Sequence, residues 1–189
     1  PGFDQRLRNT LNQTLENDIP LYARMNVATS RKLKQLLYIV AQSAPFKPNI
    51  NKIAEMTGVH RNQIKDYFHY MEQAGVIMQL QSDTGGVRAL GKVEKVYLNN
   101  PNLIYSLANE TADTGNLRET FFLNQMSVNH QVASSGKADF VIGKYTFEVG
   151  GRNKGQKQIA GLDNAFIVKD DIEYGYQNIL PLWVFGLNY

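Results

Sequence analysis

Two carboxylates, Asp139 and Glu148, lie on a pair of short β-patterned runs. Asp139-Phe140-Val141-Ile142 is followed by a tight turn through Gly143, Lys144 and Tyr145, and then by Phe147-Glu148-Val149. No other feature constrains the chain as much. Apolar runs of this length on either side of a Gly turn ask to be neighbouring strands. A third acid, Glu119, lies just upstream in the helix-patterned Leu117-Arg118-Glu119-Thr120-Phe121-Phe122. Carboxylate oxygens are the donors that Mg²⁺ takes, which makes Glu119, Asp139 and Glu148 the candidate metal ligands.

The 189 residues suffice for one large or two small domains. At 43% hydrophobic and 20% charged residues, the composition is that of an ordinary globular chain. No apolar run approaches the roughly 18 residues that span a bilayer, and no secretory signal opens the chain. No membrane partner is therefore expected, and the cytoplasm is the expected location. Cysteine is absent, which excludes disulfides and thiolate metal sites. His60, His69 and His130 lack the spacing of a zinc site. The chain opens on Pro1 in mid-pattern, so a longer polypeptide is expected around it.

The charge is unevenly spread. Residues 29–95 hold ten Lys/Arg against five acids, residues 96–189 seven against nine, and residues 1–28 three against three. A basic middle beside an acidic end suggests either a nucleic-acid partner for the middle or a solvated helical surface.

Leu33, Leu36, Leu37 and Val40 recur at helical spacing over 31–43, with Thr29 or Ser30 as the expected N-cap and Pro45 and Pro48 beyond the end. A short helix over 51–57, a turn at Gly58-Val59 and a helix over 60–74 follow. Ile64, Tyr67, Phe68 and Met71 form the apolar face of that last helix, and Gly75 its left-handed cap. Strands at 76–80 and 93–98, joined by a Gly-rich turn, complete the pattern of a winged helix-turn-helix. Such a domain either contacts DNA or packs against protein. For DNA the expected contacts are His60, Arg61, Asn62 and Lys65 on the long helix, with Arg88 and Lys92 in the wing. Gly86 to Val93 nearly spells a phosphate-binding loop, but Val93 offers no hydroxyl and a strand follows where a helix is needed.

Beyond Leu98 the pattern reads as a short helix over 100–107, a loop over 109–115 and a helix over 116–127. Strands are expected at 131–133, 138–142, 145–149 and 164–168, before an apolar segment at 178–183. That order implies an α/β sandwich.

Several stretches, taken in order, carry a resemblance: the helix-turn-helix, Lys95-Val96-Tyr97-Leu98-Asn99-Asn100-Pro101-Asn102-Leu103, Gly115-Asn116-Leu117-Arg118-Glu119, Lys137-Ala138-Asp139-Phe140-Val141 and Phe147-Glu148-Val149. The chain resembles the C-terminal region of predicted AAA+-type ATPases, in which a winged helix precedes a domain of unknown function with a PD-(D/E)XK nuclease-like fold. The resemblance implies an α+β chain in three parts. Residues 1–28 would end the ATPase's helical lid, with Leu7, Leu11, Leu15 and Ile19 on one face. Residues 29–98 would be the winged helix-turn-helix, and 99–189 the restriction-endonuclease-like α/β domain. ATP would bind only to an N-terminal ATPase domain outside this chain, itself an expected partner.

A working nuclease of this kind carries Lys two positions after its last acid, and here that position is Gly150. The expected function is therefore a non-catalytic region that binds DNA or a protein partner through the winged helix, with the nuclease-like domain as a scaffold for binding or homo-oligomerisation. In that reading the acids make structural hydrogen bonds or, as the lesser alternative, hold metal without cleaving. The alternative is a metal-dependent nuclease with a relocated lysine. In that case Asp139, Glu148 and Lys154 are catalytic, with Lys154 or Lys157 carried on a helix after Gly151 and Gln156 and Gln158 lining the same cleft.

Overall fold

A computed structural model describes residues 2–43, 47–83, 93–108 and 112–188. It is a mixed α+β chain that divides into two compact units, residues 1–79 with 96–112 and residues 80–95 with 113–189. Arg88 and Lys92, the expected wing contacts, and Pro45 lie outside the described residues. Among the described residues, no helix is long and apolar enough to cross a membrane.

The first unit is helical. Helix α1 (Phe3–Gln13) runs through a π-helical stretch (Thr14–Asp18) into α2 (Ile19–Tyr22). Of the expected face, Leu11, Leu15 and Ile19 are buried and Leu7 is half-buried. Helix α3 (Val27–Ser43) starts earlier than the apolar spacing indicates. Its cap is Asn26, whose Oδ1 accepts the Thr29 N–H at 3.1 Å. Thr29 and Ser30, the expected caps, lie inside the helix, because the Asn26 side chain, three residues before the first of them, already takes an orphan donor, the Thr29 N–H. Leu33, Leu36, Leu37 and Val40 are buried as their spacing requires.

Helix α4 (Ile50–Thr57) is capped by Asn49, which accepts the Lys52 N–H, and ends at Gly58 with φ +62°. Helix α5 (Arg61–Gln73) buries Ile64, Tyr67, Phe68 and Met71. It stops at Gly75 (φ +68°), where the Val76 N–H returns to the Met71 carbonyl at 2.9 Å. Strands β1 (Ile77–Gln81) and β2 (Val93–Leu98) form a two-stranded sheet. Helix α6 (Pro101–Ala108) packs on α1 and α3 through a face that includes the buried Leu103, Ile104 and Leu107.

The second unit is a five-stranded sheet in the order β3 (Ala133–Ser134), β4 (Phe140–Ile142), β5 (Tyr145–Gly150), β6 (Ala165–Lys169), β7 (Ile179–Pro181). The first two pairings are antiparallel and the last two parallel. Gly143 (φ +58°) makes the β4–β5 turn, a left-handed conformation that glycine adopts at no steric cost. Helix α7 (Thr114–Met126) is capped by Asp113 and lies on β5. Phe122 of α7 meets Phe140, Phe147 and Phe185 with ring centroids 4.8–5.2 Å apart. This aromatic cluster fixes α7 against the centre of the sheet, and with it the depth of Glu119. A second cluster joins Ile159, Ala165 and Ile167 with Ala138, Leu162 and Ile179.

Candidate functional site

The pleat of β5 turns Phe147 and Val149 to one face and Glu148 to the other, in register with Ile167 of β6. Glu148 is wholly buried. Burial pushes its carboxyl above the usual carboxylate range; Lys154 pulls it back, and the charges of Asp139 and Glu119 add to the rise. The Lys154 ammonium pairs with Oε1, and among the described residues Oε2 has no hydrogen-bond partner. A buried carboxylate left short of donors is costly, so this geometry demands a cation.

Asp139 sits just before β4. Its Oδ2 accepts the Val149 N–H at 3.0 Å, and its own N–H donates to the Phe147 carbonyl at 3.2 Å. The hairpin thus locks the carboxylate beside the end of β5. Its Oδ1 faces Lys95 Nζ at 3.4 Å, and the same ammonium reaches Glu119 Oε2 at 3.2 Å. These side chains are mostly buried, with exposures of 13% for Asp139, 15% for Glu119 and 26% for Lys95. Burial works to lower the pKa of Lys95, but the two carboxylates outweigh it and hold the ammonium above the ordinary lysine range. Lys95, Glu119, Asp139, Glu148 and Lys154 all belong to the second unit.

Gly150 has a steric role here. A Cβ at this position would lie 2.7, 2.8 and 2.9 Å from Cδ, Cγ and Cβ of Lys154. The Lys154 stem fills the space in which a side chain at 150 would begin, and its ammonium ends on Glu148. The next residue repeats the device, since a Cβ on Gly151 would lie 3.0 Å from Nη1 of Arg118. That guanidinium is held by Asp170 at 2.9 Å and Asp171 at 3.5 Å. Neighbouring residues of α7 therefore have separate places: Glu119 enters the acid cluster and Arg118 covers Gly151.

The helix expected after Gly151 is absent. Lys154 lies in a turn, its N–H bonded to the Gly151 carbonyl at 2.9 Å, and only a 3₁₀ turn (Lys157–Ile159) follows. Gln156, Lys157 and Gln158 are exposed around the buried Ile159, which alone anchors the turn to the core. Glu119, Asp139, Glu148 and Lys154 are brought together as the spacing suggests. Lys95 and Arg118 were not expected there. Their only signal was position, since each lies in one of the stretches that carry the resemblance.

The donors are hard oxygens of the kind Mg²⁺ takes. Among the described residues, however, no group of three or more His, Asp or Glu side chains is arranged to hold a metal ion. The carboxylates are grouped around two ammonium ions, and as they stand they do not fit a metal.

The other expected site lies in the first unit. His60, Arg61, Asn62 and Lys65 are exposed at the start of α5. His60 is the N-cap, with Nδ1 facing the Asn62 N–H at 3.4 Å. Arg61 donates from Nη1 to Asn51 Oδ1 of α4 at 3.0 Å. That bond sets the start of α5 beside the start of α4, where Lys47 and Lys52 are also exposed.

In comparisons with known proteins, the model of a family described as a domain of unknown function (DUF8612) matches residues 2–114, more than half of the chain. No curated protein matches. No solved structure matches.

Proposed function

The chain belongs to the DUF8612 family, and on that premise we propose that residues 29–98 are a winged-helix module that binds duplex DNA through α5. Residues 99–189 are in this reading a nuclease-like core serving as a non-catalytic scaffold in the cytoplasm. The observation that carries this is the exposed start of α5, with Arg61 tied to Asn51 and Lys52, His60, Asn62 and Lys65 around it. Basic and amide side chains at the start of a helix fix a protein to phosphates and reach base edges. An AAA+-type ATPase region would be the natural partner and the place where ATP binds.

Anisotropy of a labelled duplex at low salt tests it. Binding should weaken steeply as salt rises, because phosphate contacts release counterions. Affinity unchanged in both Arg61→Ala and Lys65→Ala would remove DNA and leave a protein surface.

A second reading, a metal-dependent nuclease with a relocated lysine, is favoured by one observation. The Lys154 stem occupies the space above Gly150, and its ammonium ends on Glu148. Incubation with plasmid and Mg²⁺ or Mn²⁺ tests it: nicking that disappears in both Asp139→Ala and Lys154→Ala supports it, and intact plasmid with either metal ends it.

A further inference from the structure

We infer that the Lys95 ammonium stands in the cation's place within the acid cluster and keeps a hard divalent metal ion out. This goes beyond both readings above. Lys95 bridges carboxylates from two separate elements, Glu119 at 3.2 Å and Asp139 at 3.4 Å, from a side chain that is itself only 26% exposed. The third carboxylate, Glu148, is fully buried, its Oε1 meets the Lys154 ammonium while its Oε2 has no hydrogen-bond partner among the described residues, and it interacts electrostatically with both Asp139 and Glu119. That is a donor arranged for a cation that the chain supplies only in part.

The two lysines are not equivalent. Lys154 comes from beyond β5, passes over Gly150 and meets one oxygen of Glu148. Lys95 comes from β2 and separates two acids that a metal ion would have to draw together. When all are ionised, three carboxylates and two ammonium groups leave a single negative charge, a poor match for a divalent ion. Without the charge of Lys95 the cluster carries two, which a divalent ion neutralises.

Mn²⁺ titration of the full chain by calorimetry tests this, comparing wild type, Lys95→Met, Lys95→Arg and Lys95→Met/Asp139→Asn. Removing the ammonium should tighten Mn²⁺ binding by about tenfold or more, because a unit charge at this range is worth at least that at protein-like dielectric. Lys95→Arg should bind as weakly as wild type, and adding Asp139→Asn should remove the gain. Should Lys95→Met not fold, Lys95→Gln makes the same comparison. The inference is overturned if the neutral variant binds no tighter than wild type, if wild type already binds as tightly, or if the gain survives Asp139→Asn. DNA binding and cleavage take no part in the readout, so either functional reading can fail while this one stands, and the reverse.

Discussion

The two units treat charge in opposite ways. At the start of α5, Arg61 and Lys65 stand in solvent, and Arg61 donates to a neutral amide. In the second unit five charged side chains turn inward and face one another, and one of them, Glu148, has no contact with solvent at all. Exposed charge costs the fold little and is open to a partner. Buried charge is committed: each group depends on the others, and removing one leaves the rest uncompensated. In the proposed reading, recognition belongs to the first unit and internal cohesion to the second.

The comparison breaks most visibly at Lys154. Lys154→Met leaves Glu148 without its cation and should cost about 2–3 kcal/mol in urea unfolding at neutral pH, the low end for a broken buried pair because Lys154 keeps some exposure. Adding Glu148→Gln should recover most of the loss. Gly150→Ala comes next, at about 1–2 kcal/mol, because its methyl collides with the Lys154 stem. In a Lys154→Ala background the same change should cost almost nothing. A surviving penalty there would mean that the glycine serves some other need.

A smaller effect appears in alkali. The folded pKa of Lys95 is raised, so its contribution is complete below the ordinary value of 10.5 and is lost as pH rises through the folded value. Wild type should therefore lose stability at high pH more steeply than Lys95→Met. Glu148 works in the other direction: its folded pKa is raised above 4.5, so its charged form weighs against the fold at neutral pH, and that weight lifts as pH falls through the folded value. The smallest change belongs to the first unit, where Arg61→Ala or Lys65→Ala should shift stability by no more than about 0.5 kcal/mol.

What could be read from the sequence follows the same division. Helix α5 and its buried face follow from the spacing of Ile64, Tyr67, Phe68 and Met71, and its end from Gly75, because these rules act within one or two turns. Strand β5 and the acids flanking the Gly143 turn were legible for the same reason. Lys95 was not, since its partners lie 24 and 44 residues away. Arg118 was not, since Asp170 lies 52 residues on. Gly150 could be seen as the absence of a lysine, but the four-residue reach of Lys154 back over it depends on a turn that no periodicity announces. The start of α3 was misplaced because two hydroxyl residues after Asn26 look like equally good caps.

The division of labour between the units is tested most directly by measuring duplex DNA affinity as a function of salt for wild type, Arg61→Ala/Lys65→Ala and Asp139→Asn. The α5 variant should lose affinity and reduce the salt slope by about one for each phosphate contact removed, while Asp139→Asn binds as wild type does. The opposite pattern, with binding insensitive to α5 and changed by Asp139→Asn, would place the nucleic-acid site in the second unit and contradict it.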